Sequence, residues 1–402
     1  MRRIYRSAAV ECHKLAPVIR ASLFALLALQ TTTAIVVGQP RQVEVAGAQF
    51  VGAAGCKSSS CHGGAGEKRS QYITWSRQDV HTRGFAILTN ARSERIAAGL
   101  GLQAQTEGAN AATASTRCTV CHSPFHSVPQ AQRAPTAEPT ESVSCESCHG
   151  AAGGWLRGHT RTDWTYATRV GAGMRDLESF YVRANTCVAC HQNLDPDIVA
   201  AGHPELVFEL DGQSAAQPKH WRDPEGSGPR AWLTGQAVAL RELSWRLAMN
   251  PNADAQALAQ WSALVWLLSH VTAVENGLTV ISPDEQPFAH TQQQADALAR
   301  RAAQANLGRD FASRVLQRLV STEREFSPTS KTPREVLFRR AQRLVLAIER
   351  LSLANLPVAQ QNLPQTGLDT MRDDLRSPAA FDPARFAEML ADFRLSLTRP
   401  EP

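Results

Sequence analysis

Apolar residues beyond position 230 recur at three- and four-residue steps. Trp232, Leu240, Leu243 and Leu247 form one such stripe, the signature of one buried helix face. Asn250-Pro251-Asn252 ends that helix. A second, more apolar helix is expected over residues 255–274, carrying Leu258, Trp261, Leu264, Leu267 and Leu268. Ser282-Pro283-Asp284-Glu285 has the form of a capping box with proline at the first helical position. Thr332-Pro333-Arg334-Glu335 repeats that form and opens an amphipathic helix to about Leu353. Asp382-Pro383 caps a last helix through Leu397, and Gly308 divides two more. The pattern predicts a bundle of five to seven helices over residues 229–402.

Upstream the pattern is irregular. Residues 41–55 read as a connector ending in Gly52-Ala53-Ala54-Gly55. Gln71 to Thr89 predicts one helix bearing Trp75, His81 and Phe85. Residues 103–116 are low-complexity and polar, residues 127–143 carry Pro129, Pro135 and Pro139, and both predict loops, the first exposed. Gly150 to Gly158 predicts a flexible turn delivering His159. Residues 211–230, rich in Gly, Pro, Ser and Asp, close the region. The fold class expected is therefore mainly α: a domain over residues 41–228 with little regular structure besides short helices, then the helical bundle.

The first 40 residues differ from both. Arg2, Arg3, Arg6, Lys14 and Arg20 precede an uncharged stretch over residues 21–40. That stretch, about 20 residues, is roughly one bilayer crossing. It predicts either a cleaved signal or a membrane anchor with its N-terminus in the cytoplasm. Both readings export the bulk of the chain, placing it in the periplasm. These basic residues also account for most of the net charge of +5 over 402 residues. The remainder is near neutral and offers no basic stripe for nucleic acid.

The chemistry is carried by cysteine and histidine. Cys118-Thr119-Val120-Cys121-His122, Cys145-Glu146-Ser147-Cys148-His149 and Cys187-Val188-Ala189-Cys190-His191 share the pattern C-x-x-C-H. A wider version, Cys56-Lys57-Ser58-Ser59-Ser60-Cys61-His62, precedes them. C-x-x-C-H is the signature of covalent c-type haem attachment. Positions i, i+3 and i+4 share one helix face, so one turn offers two thiols and an imidazole together. A zinc site would need two C-x-x-C halves close together and four ligands in all. Here each motif carries its own histidine. Eight of the nine cysteines fall in the motifs, and the ninth, Cys12, lies ahead of the apolar stretch. No structural disulfide is expected. Four covalently bound haem c groups are, with His62, His122, His149 and His191 as proximal iron ligands.

A second histidine on an iron gives a low-spin electron carrier, whereas an open position leaves room for a substrate. Between residues 50 and 230 five histidines lie outside the motifs: His81, His126, His159, His203 and His220. His81, with Trp75 and Phe85 near it, and His159, after the glycine-rich turn, are distal candidates. So are His203, held in Gly202-His203-Pro204, and His220, beside Trp221. His126 lies four residues after His122 and points to the proximal side of that haem, so it could serve only a neighbour. His270 and His290 read as structural or solvent-exposed.

These residues resemble the multihaem cytochrome c-554/c-552 family of exported tetrahaem electron carriers. Val143-Ser144-Cys145-Glu146-Ser147-Cys148-His149-Gly150 is very close to that family's third haem segment. The long-spaced segment from Cys56 to His62-Gly63 looks like a branch of related bacterial cytochromes. So do Ala200-Ala201-Gly202-His203-Pro204 with Phe208-Glu209-Leu210, and Lys219-His220-Trp221. The resemblance covers about residues 50–250. It implies haems in closely stacked pairs, with distal histidines donated across the fold. It implies that His81 serves the third haem and His159 the first, and that the second, the His122 haem, can be five-coordinate. The family's Gly-Pro-Gly after the third motif is replaced here by Gly150-Ala151-Ala152-Gly153-Gly154-Trp155. A large C-terminal bundle is not part of its short members.

The function expected is electron transfer between a donor and an acceptor redox protein. The competing expectations are an enzyme that reduces a small nitrogen oxide at an open haem, and a subunit of a larger respiratory complex.

Overall fold

The computed structural model describes residues 48–104, 110–249, 255–282, 287–355 and 362–398. The N-terminal basic and apolar stretches, Cys12 and the capping box at 282–285, except Ser282, lie outside the described residues. Among the described residues the only β-structure is an isolated bridge between Phe50 and Arg133, and the fold is mainly α. No described helix is long and apolar enough to cross a membrane.

The bundle is built around α6 (Gly228–Met249), which follows α5 (Leu210–Ala216) and packs against α7 (Ala255–Thr272) and α8 (Phe288–Gln304). Every residue from Ala231 to Ser244 is buried. The stripe Trp232, Leu240, Leu243 and Leu247 therefore marks only part of a helix enclosed on all sides. Small residues on α8 (Ala295, Ala299 and Ala302, all buried) let it approach α6 closely. Around them stand α9 (Arg309–Val320), α10 (Arg334–Asn355), α11 (Asn362–Asp374) and α12 (Pro383–Thr398). Gly308 caps α9 and Pro333 precedes α10. Asp382 Oδ1 accepts from the Ala384 amide at 2.9 Å, satisfying a free N–H at the start of α12. Each fully buried Leu or Phe contributes about 1.5–3 kcal/mol relative to an exposed one.

The core of the bundle extends upstream. Phe180, Ala184 and Val188 of α4 (Phe180–His191) and Phe208 and Leu210 join it. Gly235 permits this, because a side-chain carbon there would lie 2.6 Å from Leu210 Cβ. Residues Gln39–Pro402 form one compact unit.

Ion pairs and hydrogen bonds of buried and half-buried arginines fix the same seam. Arg241 donates to Asp296 Oδ1 at 2.9 Å, Glu242 Oε1 at 2.6 Å and Tyr181 Oη at 3.2 Å, and also to Asn185. That network ties α4, α6 and α8 together. Arg343 donates to the Phe208 carbonyl at 2.7 Å, Arg339 to Glu205 at 2.7 Å and Arg350 to Asp211 at 2.6 Å. Loss of one partner would leave a buried charge unpaired, which is costly.

Two local expectations are corrected. Gln71–Thr89 is not one helix. α1 (Gln71–Gln78) ends at Asp79, whose backbone is extended at φ −81°, ψ 126°. The Asp79 carboxylate accepts from the His81 amide at 3.0 Å and starts a 3₁₀ turn over Val80–Arg83 instead. Nor is 103–116 wholly an exposed loop. Ala111–Ala114 is a short helix capped by Asn110, and Ala112 is buried.

Candidate haem-attachment centres

Three motifs sit at the ends of helices, and each histidine is the last helical residue. They are α2 (Thr116–His122), α3 (Cys145–His149) and α4. Serine starts each helix: Ser115, Ser144 and Ser179 are the caps. Ser144 and Ser147 make a reciprocal box, with Ser147 Oγ accepting from the Ser144 amide at 3.2 Å. Gly150 then leaves α3 at φ 82°, a conformation that favours glycine.

The first motif is not helical. Cys61 N–H and Gly63 N–H both donate to the Ser58 carbonyl at 2.9 Å, and His62 N–H donates to the Cys56 carbonyl at 3.2 Å. These bonds fold the two extra residues into a turn and return His62 to Cys56. Gly63 has no room for a side chain, since a Cβ would lie 1.8 Å from the Lys57 carbonyl oxygen.

Each motif histidine faces one histidine from elsewhere in the chain. Ring centres are 6.1 Å apart for His62 and His159, and 6.3 Å for His122 and His203. They are 6.4 Å apart for His149 and His220, and 6.0 Å for His191 and His81. Two imidazoles on opposite sides of one ion, each bound at about 2.0–2.1 Å through nitrogen, would have ring centres roughly 6 Å apart. The spacing fits an iron between each pair.

Hydrogen bonds at Nδ1 turn the rings for this. His62 Nδ1 lies 3.0 Å from Gln71 Oε1, and His122 Nδ1 lies 3.1 Å from the Gly84 carbonyl. His159 Nδ1 reaches the Leu156 carbonyl at 2.5 Å and His203 Nδ1 the Pro204 carbonyl at 2.7 Å. His81 Nδ1 donates to Asp79 Oδ1 at 2.9 Å. A bond to an acceptor puts the proton on Nδ1 and leaves Nε2 as the ligand atom. Burial pushes His149 down to about 4 and lowers His122, His191 and His220, favouring the neutral form that binds metal.

The thiols report how the motifs are arranged. Cys56 hydrogen-bonds Cys145, which lowers the first thiol and raises the second. Cys121 and Cys190 are related in the same way. Cys187 lies close enough to Cys148 to feel its charge, and burial pushes Cys187 up to about 12. The first motif thus adjoins the third, the third the fourth, and the fourth the second.

The pairing corrects one implied assignment. His81 faces the fourth motif's His191, not the third motif's His149, and His220 takes that place. His203 faces His122, so the imidazole opposite the second motif is present. His159 faces His62, the first-motif histidine. His126 pairs with none of them, and its Nδ1 lies 3.3 Å from Thr119 Oγ1. In the bundle, His270 bonds Glu325 at 3.1 Å and His290 is exposed. Among the described residues no three His, Cys, Asp or Glu side chains converge as a metal cluster. A group held between two facing imidazoles would need no such cluster.

Several supporting residues were not anticipated. Glu146, inside the third motif and 1% exposed, accepts from the amides of Val51 at 3.0 Å, Gly52 at 2.7 Å and Ala152 at 2.6 Å. It binds the approach to the first motif onto the third, and burial raises its pKa. Glu141 accepts from the Ala53 amide at 3.0 Å. Asp79 could have been suspected from its position two residues before His81, the spacing of an Asx turn. Glu146 carries no comparable local signal, because its partners are 94 and 95 residues away or lie past the helix end.

Residues 55–150 match the family of cytochrome c554 and c-prime. That segment takes in the motifs ending at His62, His122 and His149. No curated protein and no solved structure matches the chain.

Proposed function

Taking residues 55–150 as a segment of the cytochrome c554 and c-prime family, and the chain as a multihaem c-type cytochrome, we propose that it is an exported tetrahaem electron carrier. Each haem, when bound, supplies an iron that exchanges one electron. The residues supply the rest. Cys56 and Cys61, Cys118 and Cys121, Cys145 and Cys148, and Cys187 and Cys190 would hold the four groups through thioethers. His62, His122, His149 and His191 would bind on one side. His159, His203, His220 and His81 would bind on the other.

The four facing imidazole pairs, 6.0–6.4 Å between ring centres, carry this reading. Axial positions filled by protein favour outer-sphere electron transfer over substrate binding. The order in which the motifs adjoin is first, third, fourth, second. Electrons would cross the chain along that line, with the His62 and His122 centres at its ends. Redox proteins would serve as donor and acceptor. The reading of an enzyme with an open haem loses its main support, since His203 stands opposite His122. Members of this family are typically periplasmic, which suits the basic and apolar N-terminal sequence.

Intact mass and electron paramagnetic resonance of the purified protein test the proposal together. The expected result is a mass excess of four haems, low-spin signals only, and no carbon monoxide adduct after reduction. A smaller mass excess would remove the long-spaced motif as a site. A high-spin haem that binds carbon monoxide would replace the carrier with an enzyme.

A further inference from the structure

The two ends of the line of motifs differ in how their charges are paired. Around the His62/His159 pair lie residues 56–70 on one side and 155–163 on the other. Together they hold Lys57, Lys68, Arg69, Arg157 and Arg161 against Glu67 and Asp163. Both acids are already used: Glu67 pairs with Arg222, and Asp163 with Arg161 at 2.6 Å. Lys57, Lys68, Arg69 and Arg157 are exposed. Among the described residues no carboxylate forms an ion pair with any of these four.

The segments are held as one rim. Gly64 N–H donates to the Arg69 carbonyl at 2.9 Å, and Gln71 Nε2 donates to the Glu67 carbonyl at 2.8 Å while its Oε1 meets His62. Lys57 and Gly63 touch through the turn of the motif. His62 and His159 then bring the distal segment, with Arg157, to the same centre. Of the eight motif cysteines, Cys61 alone is exposed. This centre is therefore the one that reaches the surface with an attachment residue.

The other end differs. Around His122 and His203 the segments 111–127 and 195–207 hold Arg117 against Asp195, Asp197 and Glu205, and Arg92 reaches in to the Gly202 carbonyl at 2.7 Å. Arg117 is spent on Asp197 at 2.6 Å and Asp195 at 3.2 Å, and Glu205 on Arg339. Asp195 and Asp197 remain 69% and 57% exposed.

Resting on the carrier reading above, we infer that the rim of Lys57, Lys68, Arg69 and Arg157 is the docking surface for a redox protein with an acidic contact face. The second end does not serve that partner. Complementary charge steers encounter and sets orientation, raising association rates by about 10- to 1000-fold in favourable cases, and salt weakens it. Unpaired cations ringing a surface-reaching centre meet that need, whereas at the far end Asp195 and Asp197 offset the arginines beside them.

The test uses the full-length haem-loaded protein and flash-generated, one-electron-reduced flavin as the probe. In the reaction the flavin loses one electron, and its proton to water, as one ferric iron becomes ferrous. Anionic flavin mononucleotide and neutral riboflavin are compared. In the Lys57→Glu/Lys68→Glu variant at low ionic strength, reduction by flavin mononucleotide should slow by about three- to tenfold. Reduction by riboflavin should hold its rate, and salt should erase the difference. An unchanged flavin mononucleotide rate would overturn the proposal, as would an equal loss with both flavins. So would an Asp195→Lys variant that speeds flavin mononucleotide as strongly as the rim variant slows it. Haem mass and spin state are measured on the same samples, so a failure of the tetrahaem reading is seen separately.

Discussion

Asp79 is 4% exposed and divides its carboxylate between three donors. Oδ1 takes the His81 amide at 3.0 Å and the His81 ring at 2.9 Å, and Oδ2 takes Gln217 at 3.3 Å. The Nδ1 acceptors of His62, His122, His159 and His203 are all neutral carbonyl oxygens. A carboxylate on Nδ1 makes the imidazole a stronger donor to iron and adds a negative charge that favours the oxidised state. On the carrier reading, a haem held between His81 and His191 would therefore have a lower potential than its surroundings would otherwise give. Asp79→Asn should raise that midpoint potential by tens of millivolts, with a smaller rise at the His149/His220 centre, whose His220 and Cys148 also feel Asp79. Spectroelectrochemical titration reads this directly, and four unmoved potentials would count against it. The candidate attachment motifs were legible at this scale because C-x-x-C-H is local. The partner of each histidine was not, because it is set by contacts such as His149 with His220 that no local spacing encodes.

Among the elements, the bundle helices follow their sequence signals closely. Pro333 precedes α10, Gly308 precedes α9, and Asp382 caps α12, each a backbone need met by a nearby residue. Where a side chain competes for the backbone, the periodic reading fails, as at Asp79. α5 shows a cap of another kind. Glu209 accepts from the Asp211 amide at 2.9 Å and from the Gly212 amide, yet lies buried. Desolvation, with Asp211 nearby, pushes it from the ordinary 4.5 to about 7. The folded chain then binds this proton more tightly than the unfolded chain. Its contribution is full below the ordinary glutamate range and is lost as pH rises to about 7, by a few kcal/mol at most. Urea unfolding followed by far-ultraviolet circular dichroism should show stability falling between pH 5 and 7.5. In Glu209→Gln that slope should flatten, and an unchanged slope would assign it elsewhere.

Across the whole molecule, the bundle and the motif region share one core. The change in sequence character near residue 229 marks a change in pattern, and the packing runs across it. Periodicity could find the helices after that point but not the way α4, a motif helix, buries Phe180, Ala184 and Val188 among them. Arg241, Arg339, Arg343 and Arg350 fasten the same seam from the bundle side. Their partners, from Tyr181 to Asp211, are far away in sequence, and for that reason were not legible.

That shared core sets a timetable for maturation. A chain emerging from its N-terminus presents all four motifs before the helices that enclose α4 have arrived. Once they close, Cys187 is backed by the core and held as a thiol, whereas Cys61 still faces solvent. On the tetrahaem reading, the window for attachment at the fourth motif therefore narrows with folding, whereas at the first Cys61 stays within reach although Cys56 is buried. Haem-free protein refolded before haem is added should acquire haem on the Cys56–His62 peptide more readily than on the Cys187–His191 peptide. Peptide mapping by mass spectrometry would show it, and equal loading of both would mean the bundle opens freely.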